Sequence, residues 1–172
     1  MMMDKCLKTE WNGEYYEVQR FNRTLNIFIV GILLLTSWYS FYIQIIAKIP
    51  FGNNPAPDYI VILIAVIFGI LFPAFFIVLK LEINVNDNCL RFRFYPIHIK
   101  WKEIALSEIS AAEEVKFRPI MEYGGWGIRF RRGIKAYIMK GNEGVMLTFA
   151  DGKQILLGSQ KTGMLLEAMR KK

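Results

Sequence analysis

The chain has 172 residues and a formal net charge of +7, and 53% of its residues are hydrophobic, more than a globular domain usually carries. The apolar excess lies between positions 25 and 79, whereas the charge lies from position 80 onward, where 17 Lys and Arg face 10 Asp and Glu. This separation excludes a chain of uniform soluble character, and the scattered basic residues lack the arrangement of stacking aromatics that would argue for nucleic acid.

Residues 1–24 hold four residues of each charge sign before any apolar run, which does not fit a cleaved signal sequence. Trp11, Tyr15, Val18 and Phe21 recur at spacings of four, three and three, with Glu10, Glu14, Glu17 and Arg20 elsewhere. That period predicts a short amphipathic helix, lying at a membrane interface or against the rest of the protein.

Residues 25–47 and 59–79 are two charge-free runs of 23 and 21 residues, bounded by Arg23 and Lys48 and by Asp58 and Lys80. As helices each would extend roughly 30–35 Å, enough to cross the hydrocarbon core of a bilayer. The connection 48–58 contains Pro50, Gly52, Pro55 and Pro57 and reads as a tight outer loop. It carries a single basic residue, Lys48, while both outer flanks are richer in Lys and Arg. The positive-inside rule therefore places both flanks in the cytoplasm and the chain in the cell membrane.

Pro73 interrupts the second run and predicts a kink, read either as a hinge or as a tolerated irregularity. Thr36, Ser40 and Gln44 are the notable polar groups of the first run and are candidates for hydrogen bonds across helices or between subunits. Neither run contains an ionisable residue, which weighs against an ion or proton pathway.

From position 81 the pattern alternates with a period of two. Leu81, Ile83 and Val85 are followed by a turn at Asp87-Asn88, then by Leu90, Phe92 and Phe94. Further alternating runs are Ile97–Trp101, Val115–Phe117, Ile128–Phe130, Ile134–Ile138, Val145–Phe149 and Ile155–Leu157. Asp151-Gly152 predicts a type I′ hairpin turn. Leu165, Leu166 and Met169 then fall on one helical face, after Ser159 or Thr162 as cap.

Strands followed by one amphipathic helix, after a membrane hairpin, resemble bacterial membrane proteins with a pleckstrin-homology-like domain. The stretch from Tyr123, YGGWGIR, then GIKAYIMKGNEGVMLTFADGKQILLGSQ, is similar to uncharacterised members of that group, with the matching motifs between positions 123 and 160. The resemblance implies an α+β membrane protein. Its transmembrane hairpin would precede a cytoplasmic antiparallel barrel or sandwich, residues 80–172, that ends in a helix. It implies no activity.

Arg129, Arg131, Arg132, Lys135 and Lys140 form the densest basic cluster, and a hairpin through Gly133 would place several on one face. They are candidate contacts for anionic lipid headgroups or a partner, with Trp126 beside them. An ordinary solvated strand face is the alternative. The Gly124, Gly125, Gly127 run lacks the spacing and the lysine of a phosphate loop.

The single histidine, His98, is expected to face solvent on a strand, and Cys6 and Cys89 are expected to be reduced thiols. No catalytic, metal or cofactor site is expected. The reading is a non-enzymatic, membrane-anchored interaction module that binds a protein partner or a second copy as scaffold or accessory subunit. A reader of anionic headgroups and a subunit of an oligomeric channel or transporter are the alternatives.

Overall fold

A computed structural model describes residues 15–86 and 88–170. The fold is α+β, in two compact units: residues 21–79, and residues 80–172 joined by the segment that ends at Arg20.

The first unit is a helical hairpin. Helix α1 (Arg23–Phe41) starts at Asn22, whose Oδ1 accepts from the Thr24 amide at 3.1 Å, and continues through a π-helical turn, Tyr42–Ile46. The return passes through α2 (Asp58–Val66), a second π turn (Ile67–Leu71) and α3 (Phe72–Val78). Asn26–Ile46 and Asp58–Val78 are each 21 residues, long and apolar enough to cross a bilayer. Large side chains such as Phe28, Leu35, Tyr59 and Leu71 are exposed along them.

The π turn lies just before Pro73, which has no N–H to offer the carbonyl of Gly69 four residues earlier. That carbonyl accepts instead from Trp38 Nε1 on the opposite helix, at 3.3 Å. Thr36 and Ser40, expected to reach across, bond back to Ile32 and Ser37 of their own helix at 2.8 and 2.9 Å. Such back-bonding is what a short hydroxyl side chain does where no other partner is near. Gln44 does reach out: its amide donates to Ala56 O at 2.6 Å and to Asp58 Oδ1 at 3.0 Å.

The second unit contains two sheets. The first has the order β1 (Tyr15–Arg20), β2 (Lys80–Val85), β3 (Cys89–Tyr95) and β4 (Lys102–Ala105), all antiparallel. The second uses β5 (Ile109–Lys116), β6 (Gly127–Arg131), β7 (Ile134–Ile138), β8 (Glu143–Phe149) and β9 (Gln154–Gly158), in the order β5-β8-β9-β7-β6. Short helix α4 (Pro119–Tyr123) precedes β6, and α5 (Thr162–Arg170) follows β9. Among the described residues the strands form two separate sheets and no closed barrel. The second sheet is mixed, because β7 and β9 run parallel.

Several expectations change. The amphipathic helix predicted around Tyr15 and Phe21 is, over Tyr15–Arg20, the edge strand β1; Trp11 lies outside the described residues. Its buried side chains are Tyr15, Glu17 and Gln19, so the apolar spacing did not mark the buried face. The strand predicted over 97–101 is a loop, and pairing resumes only at Lys102. The two-residue turn with both φ values positive falls at Arg132 (48°) and Gly133 (82°). At Asp151-Gly152 only the glycine is left-handed, so that turn is not type I′.

Alternation explains the packing. Leu81, Ile83, Phe92 and Phe94 share the inward face of the first sheet and are all essentially inaccessible. Phe92 meets Tyr137 of β7 edge to face, ring centroids 4.8 Å apart. The other face of β7 presents Ala136 and Ile138 to a cluster with Phe117, Leu156 and the part-buried Tyr123 and Trp126. Helix α5 buries Leu165, Leu166 and Ala168. Cys89 is disulfide-bonded, contrary to the expected thiol; the chain's other cysteine, Cys6, lies outside the described residues.

Candidate functional site

The basic cluster read from the sequence does not gather on one face. Arg129 pairs with Ala136, Phe130 with Lys135 and Arg131 with Ile134, so Arg129 and Arg131 face away from Lys135. Arg131 Nη1 lies 4.0 Å from Glu122 and its guanidinium is 5.9 Å from the Tyr123 ring centroid. Arg129 Nε approaches Gly125 O at 3.5 Å. Arg132 occupies the turn, and Lys140 is exposed after the far end of β7. Trp126 donates to Gly141 O at 3.3 Å while its ring packs on the Phe117 cluster. A single-face headgroup patch from these residues is therefore not what β6 and β7 form.

A buried polar clamp joins β1 to the junction of β9 and α5. The Glu17 carboxylate accepts from Tyr15 Oη at 2.5 Å, Ser159 Oγ at 2.7 Å and the Gln160 amide at 2.9 Å. Gln19 Nε2 donates to Gly158 O at 2.7 Å. Burial, followed by the hydrogen bond to Glu17, pushes the Tyr15 hydroxyl well above the usual tyrosine range, so it remains a donor. The clamp satisfies a buried carboxylate with one neighbouring donor, Tyr15, and two distant in sequence, Ser159 and Gln160, and its role is structural.

The outer face of the first sheet carries a second polar group. Glu82 accepts from Arg93 Nε, from Lys80 Nζ at 2.9 Å and from Tyr16 Oη at 3.2 Å. Burial alone would raise the Glu82 carboxyl, but the hydrogen bonds from Arg93 and Lys80 prevail and hold it below its usual range. Arg91 and Arg93 lie 4.7 and 4.4 Å from the Trp101 ring centroid, in cation–π range.

A third group has no carboxylate among the described residues. Lys102 of β4 donates to Tyr137 Oη of β7 at 2.6 Å. Lys135 Nζ lies 5.7 Å from the same ring centroid and 4.7 Å from that of Phe130. The His98 ring centroid is 5.8 Å from that of Tyr137. Contrary to expectation His98 is on a loop and only partly exposed, and its Nδ1 is buried with no hydrogen-bond partner. Burial, then the Lys102 and Lys135 charges, hold the imidazole below its ordinary value. Burial and Lys135 do the same to the Lys102 amine. Desolvation pushes the Tyr137 hydroxyl up to about 12. Sequence reading missed this group because its members come from both sheets. The alternation read over 97–101 leaves Lys102 on the polar side with His98 and Lys100, whereas its pairing with Phe92 in the β3–β4 register turns it inward.

No three His, Cys, Asp or Glu side chains among the described residues converge as metal ligands would. No protein-family model, curated protein or solved structure matches this chain.

Proposed function

We propose that this chain is a non-enzymatic, membrane-anchored binding module, in which the helical hairpin spans the cell membrane and holds the two-sheet unit at its surface for a protein partner or a second copy. The carrying observation is the hairpin itself. It is a compact unit whose two long helices leave large apolar side chains such as Phe28, Leu35 and Leu71 exposed, as lipid-facing helices do and core helices of a soluble protein do not. Anchoring confines the binding unit to two dimensions and raises its effective concentration for other membrane proteins. We read the two-sheet unit with its closing helix α5 as pleckstrin-homology-like, on the strength of a run of strands ended by one amphipathic helix.

A contact surface is available on α4, where Ile120 and Met121 are exposed. A photo-crosslinking residue at Met121, in the full chain in native membranes, tests the reading. A discrete crosslinked partner or dimer supports it; no product from position 121 or from the neighbouring Ile120 removes it.

The basic flanks argue for the two-sheet unit on the cytoplasmic side. The disulfide at Cys89 favours the opposite orientation, because disulfides persist in oxidising compartments. Protease protection of right-side-out and inverted vesicles decides between the two.

A further inference from the structure

We propose that Lys102, Lys135, His98 and Tyr137 form a binding site for a phosphate-class oxyanion at the end of the two-sheet unit where the β3–β4 loop meets β7. The inference does not depend on membrane insertion, since all four residues belong to one unit.

The argument begins with the charges. Lys102 arrives from the first sheet and Lys135 from the second, and both ammonium groups converge on the Tyr137 side chain. Among the described residues neither lysine has a carboxylate in ion-pair range, unlike Lys80, Lys116 and Lys153. Two ammonium groups held together repel, and that repulsion opposes the fold unless an anion relieves it. Burial first, and then the neighbouring ammonium charges, lower both Lys102 and His98.

Next come the hydrogen-bonding valences. Tyr137 Oη accepts from Lys102 and therefore keeps its own proton for another acceptor. The buried, unpartnered His98 Nδ1 adds a ring nitrogen that can donate once the imidazole is protonated. Two ammonium groups, a hydroxyl and an imidazole are donors suited to a tetrahedral oxyanion with several acceptor oxygens.

The rim is apolar. Ile97 and Ile99 flank His98, and Phe130 lies against Lys135; all three are exposed. Such a rim suits a phosphate on a lipid as well as a free one, and the shared chemistry is the phosphate group.

The chain has one histidine, so imidazole-labelled protein reports from a single site. The full-length chain in neutral detergent micelles is titrated with inorganic phosphate at constant ionic strength. In parallel, it is placed in nanodiscs of phosphatidylcholine alone or with phosphatidic acid. The site is supported by a saturable shift of the His98 signal, weakened at least tenfold in Lys102→Gln and Lys135→Gln. It should be unchanged in Arg129→Gln, which alters the opposite face of the hairpin. A bound anion also favours the imidazolium, so the His98 titration midpoint rises when the site fills; Lys102 and Lys135 are the charges facing it. A response to inorganic phosphate identifies a free oxyanion, and a response confined to phosphatidic acid identifies a headgroup. The proposal is overturned if neither source gives a saturable shift, or if the shift survives both lysine substitutions. Should Lys102→Gln fail to fold, the part-exposed Lys135 alone carries the comparison.

Discussion

The indole Nε1 of Trp38 donates to the carbonyl oxygen of Gly69 at 3.3 Å, across the two helices of the hairpin. Pro73, four residues after Gly69, cannot serve that carbonyl, and the absence of a side chain at Gly69 lets the indole approach it. One proline, one glycine and one tryptophan thus form a single packing device between the two helices.

Gly69→Ala should loosen the hairpin. The added Cβ would stand 2.9 Å from Trp38 Nε1 and 3.3 Å from Ser37 Oγ, so the helices must separate or the indole must turn. A loss of about 1–3 kcal/mol is expected from overpacking. Gly31→Ala is the control, because nothing lies within 4 Å of its added Cβ. Unfolding of both variants in detergent separates them; equal midpoints would exclude a tight contact at Gly69.

Glu17→Ala should release β1. Its removal leaves Ser159 Oγ and the Gln160 amide without their carboxylate acceptor, and each unsatisfied buried group costs about 1–3 kcal/mol. Hydrogen exchange should then quicken first at residues 16–19. Protection that falls evenly across the first sheet would instead mean that β1 does not open as a local unit.

Glu82 should impose an acid limb on stability. Its folded value is depressed, so its contribution is complete above the ordinary carboxylate value of 4.5 and disappears as pH falls through the lower folded value. Glu82→Gln should be less stable than the parent at pH 7, and the difference should shrink below that ordinary value. A difference independent of pH would show that ionisation of Glu82 is not what Arg93 and Lys80 stabilise.

Gly144→Ala should disturb the pairing of β8 with β9. Gly144 faces Gly158 in the register, and a Cβ there would fall 2.5 Å from Leu157 O. The obstacle is backbone rather than a flexible side chain, so a cost of about 1–3 kcal/mol is expected. Gly163→Ala has open space in helix α5 and should be neutral or mildly stabilising. A chemical denaturation series on the full chain checks the pair.

The sequence by itself determined the elements whose burial is one-sided and local. Two charge-free runs of sufficient length predicted the two long helices within one or two residues. Alternation located β2, β3, β6, β7, β8 and β9, and the grouping of Leu165 and Leu166 located α5. Tertiary structure alone decided β1, because its inward residues include Glu17 and Gln19. Their burial becomes tolerable only through Ser159, Gln160 and Gly158, more than a hundred positions away. It also decided the basic groups. The β6–β7 register sends Arg129 and Arg131 away from Lys135, and the apposition of two sheets brings Lys102 to Tyr137. Periodicity reports which side of its own strand a residue occupies; which charges meet depends on the strand placed opposite, and that is set only when the sheets pack.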